Sequence, residues 1–315
     1  MTRRDLLVLA APRLSGDASS RGVAWLRDRQ SPATGGWPSQ SYGLLRSGQS
    51  LTPFVLLSLL SYCPPNPRAL AFLNRLRTPD PLDYPTYSAA LTVLCGVTAP
   101  LPYVLSRQFQ EAQGWPQTHA AFGGWGIGGD LRTPPHPGHV DLSMTRYALQ
   151  ALRVSGLAPD HPAFSRALVF LARCQNDDGG FQFSPVVLDA NKAGMRRSYG
   201  TATADGILAL LAAGVTSGAR LAAARSWLLA HHRPDAAPGF PRNAAYARWP
   251  QGLRYYYAAA SAEAFRRLGL PRDHEQDRLL ARQARPDGSW ANPEPLVKED
   301  DPLIATGFAL QALSS

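Results

Sequence analysis

Lysine is nearly absent from this chain: Lys192 and Lys298 are the only two in 315 residues. The formal net charge of +9 is therefore almost wholly arginine. Such a balance favours anionic partners in general, phosphates and anionic lipid surfaces among them. The arginines are scattered, with no run and no strip interleaved with aromatics, so no nucleic-acid partner is expected.

Cysteine is as scarce. Cys63, Cys95 and Cys174 are far apart and set in apolar helical pattern, so they read as reduced core residues. No CxxC or Cys/His spacing occurs, and neither a metal nor another cofactor is expected. His136 and His139 sit three apart around Pro137, a poor metal site. Long hydrophobic runs are missing too. Tyr84 to Ser106 carries no charge, but Pro100 and Pro102 break it, so a buried helix and turn is expected rather than a membrane span. The N-terminus carries Arg3-Arg4 before an apolar stretch, a layout similar to a twin-arginine export signal. That stretch, Leu6 to Ala11, is short and no A-x-A site follows, so a simple first helix is expected. The expected location is cytoplasmic, with export as the alternative.

What the chain has in quantity is helical period. Hydrophobic residues make up 45%, enough for a large core. Arg166 to Gln175 reads as an amphipathic helix, followed by the turn residues Asn176 to Gly180 and then Phe181. A second helix, Ser198 to Gly214, is rich in small residues: Ala202, Ala204, Gly206, Ala209, Ala212 and Ala213. Much of the chain repeats this order. Outer helices are expected at Pro67–Arg77, Tyr103–Gln113, Arg166–Gln175 and Ala219–His232, and within Arg21–Trp37 and Glu275–Trp290, which include their turns. Apolar inner partners are expected at Gln49–Cys63, Tyr84–Val97, Val140–Leu157, Ser198–Gly214, Arg254–Leu270 and Glu299–Ser315. The turn aromatics Trp125, Phe181, Phe240 and Trp290 recur roughly every 50 residues, which marks a repeat architecture. No sustained strand alternation is present. Inner helices that are apolar on several faces need cover from both neighbours and from an outer helix. The expectation is all-α: an (α/α)6 toroid of six inner and six outer helices. Residues 1–16 form an N-terminal arm in this reading, and 17–315 a single domain of six hairpins.

Arg21-Gly22, Trp25-Leu26, Gln30, Gly35 and Trp37 resemble the QW repeat of squalene and hopene cyclases, shared in looser form by protein prenyltransferase β-subunits. Arg166 to Phe181 resembles it again, and Arg68 to Arg77, Ala224 to Phe240 and Leu280 to Trp290 do so in part. The resemblance implies the same toroid with an isoprenoid in a central cavity. In triterpene cyclases the general acid lies in a D-x-D-D-T sequence opening an inner helix. The nearest match is Asp141-Leu142-Ser143-Met144-Thr145, with Ser143 where the acid would stand. Glu299-Asp300-Asp301 lies slightly early if Thr306 is the matching threonine. The zinc site of the prenyltransferases is not matched. Asp205 has Ile207 where a Cys would follow, and Ala305 precedes Thr306 where a His would stand.

Protonating an alkene takes a carboxylic acid kept neutral by burial or by a second carboxylate. Asp205, inside a small apolar helix, is the first candidate acid, with a buried hydrogen-bonding role as its rival. Asp141 and Asp301 precede their helices and are candidates too, against the competing role of N-cap. Aromatic faces stabilise carbocations. Trp125, Tyr147, Phe183, Tyr199, Tyr255, Tyr256 and Phe308 are expected to line the cavity, with one or two of Tyr255, Tyr256 and Tyr257 facing it. Lys192, Arg196 and Arg197, just ahead of an inner helix, are a speculative diphosphate site, against a plain solvated loop. The leading expectation is a class II terpene cyclase-like enzyme acting by protonation. The alternatives are a non-catalytic isoprenoid or lipid-binding protein of the same fold, and a carbohydrate-active toroid. A lipidic ligand makes peripheral membrane contact an expectation as well.

Overall fold

Six helix pairs wind into two layers in the computed structural model, which describes residues 16–76 and 84–314. Residues 1–15 of the arm, with the twin-arginine-like stretch, and Arg77 fall outside those residues, while Gly16 opens the first helix. The outer helices are α1 (Gly16–Asp28), α3 (Pro67–Arg75), α5 (Leu101–Ser106), α7 (Pro162–Cys174), α9 (Ala219–His231) and α12 (His274–Gln283). The inner ones are α2 (Leu51–Leu59), α4 (Pro85–Leu94), α6 (Leu142–Val154), α8 (Gly200–Ala212), α11 (Arg254–Arg267) and α13 (Pro302–Ser314). A single extra turn, α10 (Trp249–Gly252), precedes α11.

The inner helices close a ring. Each packs on its neighbour in the order α2, α4, α6, α8, α11, α13, and α13 returns to α2. The outer helices cover them, and α1 lies on α13, so the first described helix seals the last. The fold is all-α. Strand is confined among the described residues to a two-residue ladder, Trp125–Gly126 against Val140–Asp141, with Trp125 opposite Asp141.

Local chemistry starts these helices. Asn66 caps α3 by accepting from the Arg68 and Ala69 amides, ahead of Pro67 at the first helical position. Asp141 does the same for α6 through the Met144 amide, and Asp273 for α12 through Glu275 and Gln276. Most expected boundaries hold within a few residues. The exception is α5, which stops at Ser106 where Tyr103 to Gln113 was expected. Gln108 there turns inward, and its amide donates to the Gly123 and Ala163 carbonyls at 3.0 and 2.8 Å. The chain then runs irregularly to Trp125.

The turns repeat one hydrogen-bond pattern. The amides of Trp37, Trp125, Phe181 and Trp290 donate to Thr52, Thr145, Thr203 and Thr306 of the following inner helices, at 2.9–3.1 Å. The three indoles donate back to Leu26, Val104 and Leu280 carbonyls on the preceding outer helices, at 2.6–2.8 Å. Each of the three tryptophans thus ties an outer helix to its inner partner. A small residue makes room for Phe181: a Cβ on Gly206 would lie 2.5 Å from its ring.

Candidate functional site

Because every hairpin has the same sense, the first turns of all six inner helices face one end of the ring. There they enclose a cavity of about 340 Å³. Leu51 and Phe54 (α2), Tyr87 (α4), Met144 and Tyr147 (α6), Thr201 (α8), Tyr256 (α11), and Ile304 and Phe308 (α13) form its wall. The aromatic rings pack on one another rather than lying free. Phe308 meets Phe54 edge-on at 4.8 Å and stacks on Tyr256 at 5.1 Å, while Tyr147 meets Tyr87 edge-on at 5.0 Å. Phe183 and Tyr199 add further aromatic surface. Six helix N-termini pointing toward this end favour negative charge there.

Of the aromatics expected on the wall, Tyr147, Phe183, Tyr199, Tyr256 and Phe308 are on it. Trp125 is fully buried behind it, its indole engaged in the turn described above. Tyr255 is buried on another side of α11, where its hydroxyl accepts from Arg254 Nη2 at 3.0 Å. Adjacent helical residues diverge by about 100°, so Tyr255 and Tyr256 cannot share a face.

The three candidate acids have different surroundings. Asp205 is buried just behind the wall. Its Oδ2 accepts from Ser143 Oγ at 2.9 Å and Tyr256 OH at 2.5 Å, and its Oδ1 from Arg146 Nη1 at 2.7 Å. Burial pushes its carboxyl above the ordinary range, opposed by the guanidinium and the three hydrogen bonds. Arg146 also binds Glu263 Oε2 at 2.5 Å, and Gln150 donates to the other Glu263 oxygen at 2.9 Å. One cation therefore stands between two carboxyls, of which Asp205 is the deeper.

Asp141 lies on the cavity wall itself. It caps α6 with Oδ1 and faces His139 Nε2 with Oδ2 at 3.0 Å, so wall and cap coexist in one residue. Asp301 is off the wall. It caps α13 through the Leu303 amide at 2.9 Å and accepts from Ser39 Oγ at 2.5 Å. The Thr306 bond to Trp290 puts Thr306 in the register of Thr145, so the position matching Ser143 on α13 is Ile304. Asp301 sits too early to reach the cavity from there.

The basic loop divides. Lys192 lies on the wall with its Nζ 3.2 Å from the Phe183 ring centre, and burial lowers its amine to about 8. Arg196 and Arg197 are exposed and do not contribute to the wall. Lys298, the other lysine, is on the wall as well. Its Nζ lies 5.6 Å from the Tyr42 ring centre. Both lysines of the chain thus face the same cavity.

Two features escaped the sequence. Arg146 is a charged residue inside an apolar inner helix, and that contrast was its signal. Glu299 is fully buried; it accepts from the Tyr255 and Tyr256 amides at 3.1 and 2.8 Å and from Asn292 Nδ2 at 2.8 Å, capping α11 from a distant loop. Nothing local announces that cap. Among the described residues no three His, Cys, Asp or Glu side chains converge as a metal site would require. Asp141 is the only carboxylate on the cavity wall among the described residues, so the facing carboxylate pair of a glycoside hydrolase is not assembled there. No described helix is long and apolar enough to cross a membrane.

An all-α double ring with an aromatic cavity at one end defines the class. In particular, the fold is similar to that of a solved type II terpene cyclase. MstE from Scytonema without ligand superposes with a TM-score of 0.56 at 14% identity, over 95% of this chain and 97% of that one. A variant of MstE in complex with merosterolic acid A, its product, gives 0.57 at 14% identity, over 95% and 96%. Another variant, in complex with the substrate geranylgeranyl dihydroxybenzoate, gives 0.54 at 12%, over 95% and 96%. No family model and no curated protein matches the chain.

Proposed function

We propose that this protein is an isoprenoid-handling enzyme of the type II terpene cyclase kind, with Asp205 delivering a proton to the cavity through Ser143. The observation that carries this reading is one buried carboxyl bonded to two hydroxyls, Ser143 and Tyr256, that stand on the cavity wall. Ser143 occupies the register, two before Thr145, at which the resembling cyclases carry their acid. Here the carboxyl comes from the next inner helix instead.

In this reading Asp205 starts protonated, the form its burial favours, with the Ser143 hydrogen bond reversed so that Oδ2–H donates to Ser143 Oγ. The Ser143 hydroxyl then gives its proton to an alkene carbon as it takes the one from Asp205. The alkene π pair forms the new C–H bond and leaves a carbocation. A downstream alkene closes the ring with its own π pair, and loss of a proton to Asp205 or water ends the sequence. Tyr147, Phe183, Tyr199 and Phe308 offer π faces to the cation. The fold likeness to proteins solved with prenylated ligands supports an isoprenoid-type occupant. The recurring aromatic turns support reading the repeats as QW repeats, and the closed ring supports one toroid over 17–315. A lipidic occupant also supports peripheral membrane contact.

A second reading, a binding protein without catalysis, is favoured by the ion pair that holds Asp205 against Arg146. The deciding experiment incubates the protein with linear isoprenoids, with and without an anionic head group, and analyses extracted lipids by mass spectrometry. A cyclic product made by wild type, lost in Asp205→Asn and in Ser143→Ala but kept in Asp141→Asn, supports the proposal. Unchanged isoprenoid that co-purifies with the protein supports the second reading.

A further inference from the structure

Beside the cavity lies a second, more polar cleft of about 230 Å³. Ile127 and His139 stand in the walls of both, so the two spaces adjoin. Arg107 enters the cleft from the C-terminal end of α5, its guanidinium 4.4 Å over the Tyr103 ring. Its Nε and Nη1 are buried and have no hydrogen-bond partner. Thr86 Oγ1, on the first turn of α4, is in the same condition, and that residue is wholly buried. A guanidinium is charged at every working pH, and burying its donors unpaired is costly. Two such orphans from separate elements in one cleft therefore point to a missing acceptor.

The backbone comes close to Thr86 at one edge of the cleft. Gly128 has φ +103°, and a Cβ there would lie 2.6 Å from Thr86 Oγ1 and 2.9 Å from Tyr103 OH. No larger residue could bring this loop so close to the unpaired hydroxyl. The cleft wall carries two guanidinium groups, Arg107 and Arg132, against one acid, Asp130; Arg132 and Asp130 are both exposed, and His139 is engaged with Asp141.

We propose that this cleft binds an oxyanion, a phosphate or carboxylate in class, and that the anion is the head group of the ligand whose chain fills the adjoining cavity. The head-group half of the proposal rests on the isoprenoid reading above. Arg107 donates from Nε and Nη1 and Thr86 from its hydroxyl. Arg196 and Arg197 take no part.

The test is calorimetry on the full chain with geranylgeranyl diphosphate, geranylgeraniol and inorganic pyrophosphate as probes. Wild type is expected to bind the diphosphate about 10- to 100-fold more tightly than the alcohol, the range expected for charge-assisted hydrogen bonds. Arg107→Gln is expected to erase that preference without weakening the alcohol, Thr86→Val to reduce it, and Arg196→Gln/Arg197→Gln to leave it intact. Thermal melting checks the fold, and Thr86→Val alone carries the test if Arg107→Gln does not fold. Equal affinity for diphosphate and alcohol would overturn the anion site while leaving the isoprenoid cavity standing. Pyrophosphate binding as tightly as the prenyl diphosphate, and lost in Arg107→Gln, would keep the anion site and overturn its link to the cavity. Binding of neither isoprenoid would overturn that link together with the function proposed above.

Discussion

Arg146 reaches from α6 to α8 and meets Asp205 at 2.7 Å, with side-chain exposures of only 4% and 1%. This deep ion pair bridges two neighbouring inner helices, and its guanidinium favours the charged form of Asp205 against the burial that opposes it. Its stabilising value lies mainly in the cost of breaking it, since a lone buried charge cannot regain its hydration.

Arg146→Met should therefore lower stability by about 3–5 kcal/mol, because Asp205 is left without its cation. The melting temperature should fall by roughly 5–15 °C. Adding Asp205→Asn removes the stranded charge and should recover much of the loss. Calorimetric melts of the two single variants and the double variant check this, and additive losses would show that the two residues are not energetically coupled.

Much of this architecture was legible in the sequence because helical period and turn chemistry are local. The six pairs, the small residues of α8 and a cap at Asp141 as the rival to catalysis could all be read from their neighbours. Asp205 could be singled out because a carboxyl in so apolar a helix needs an explanation. Its partners could not. Ser143, Arg146 and Tyr256 lie 62, 59 and 51 residues away in sequence, and only ring closure brings them together. Tyr255 and Tyr256 show the same limit: periodicity says they diverge, while the packing of α11 decides which one faces the cavity. Trp125 shares its place with Trp37 and Trp290, and its indole bond, not its aromaticity, fixes its role.

The threonines that accept from the turn aromatics should matter more than their small size implies. Thr203→Val keeps the shape but strands the Phe181 amide in a buried site. The expected cost is about 1–3 kcal/mol, whereas Thr203→Ser should restore most of it. Urea unfolding of both variants tests this, with Thr306→Val as an independent repeat on α13. A neutral Thr203→Val would show that the amide finds another acceptor.

Glu299 makes stability depend on pH in an unusual direction. Burial raises its carboxyl from 4.5 to about 7, despite the amides of Tyr255 and Tyr256 that favour its charge. Between those two values the folded chain holds the proton and the unfolded chain has lost it. Stability from this group therefore falls as pH rises from about 4.5 to 7, by on the order of a few kcal/mol, and is level above that. Glu299→Gln keeps an acceptor for the amides and removes the titration. Its melting temperature should gain on wild type across that window. Parallel profiles for the two proteins would refute the assignment.

Lys192 gives a readout for the cavity itself. Its amine is lowered from 10.5 to about 8 by burial, while the charges of Asp141 and Asp205 work the other way. Between those values the unfolded chain binds the extra proton, so stability from this group rises with pH across that range. Only the neutral amine is nucleophilic, so brief acetylation followed by peptide mass spectrometry should show Lys192 labelling with a midpoint near pH 8. Asp141→Asn removes one of the charges that stabilise the ammonium and should move the midpoint lower. An isoprenoid in the cavity should shield the amine, since Nζ sits over Phe183 on the same wall. A midpoint near that of a free lysine, unchanged by ligand, would mean that Lys192 swings out into water and that the cavity is open where it stands.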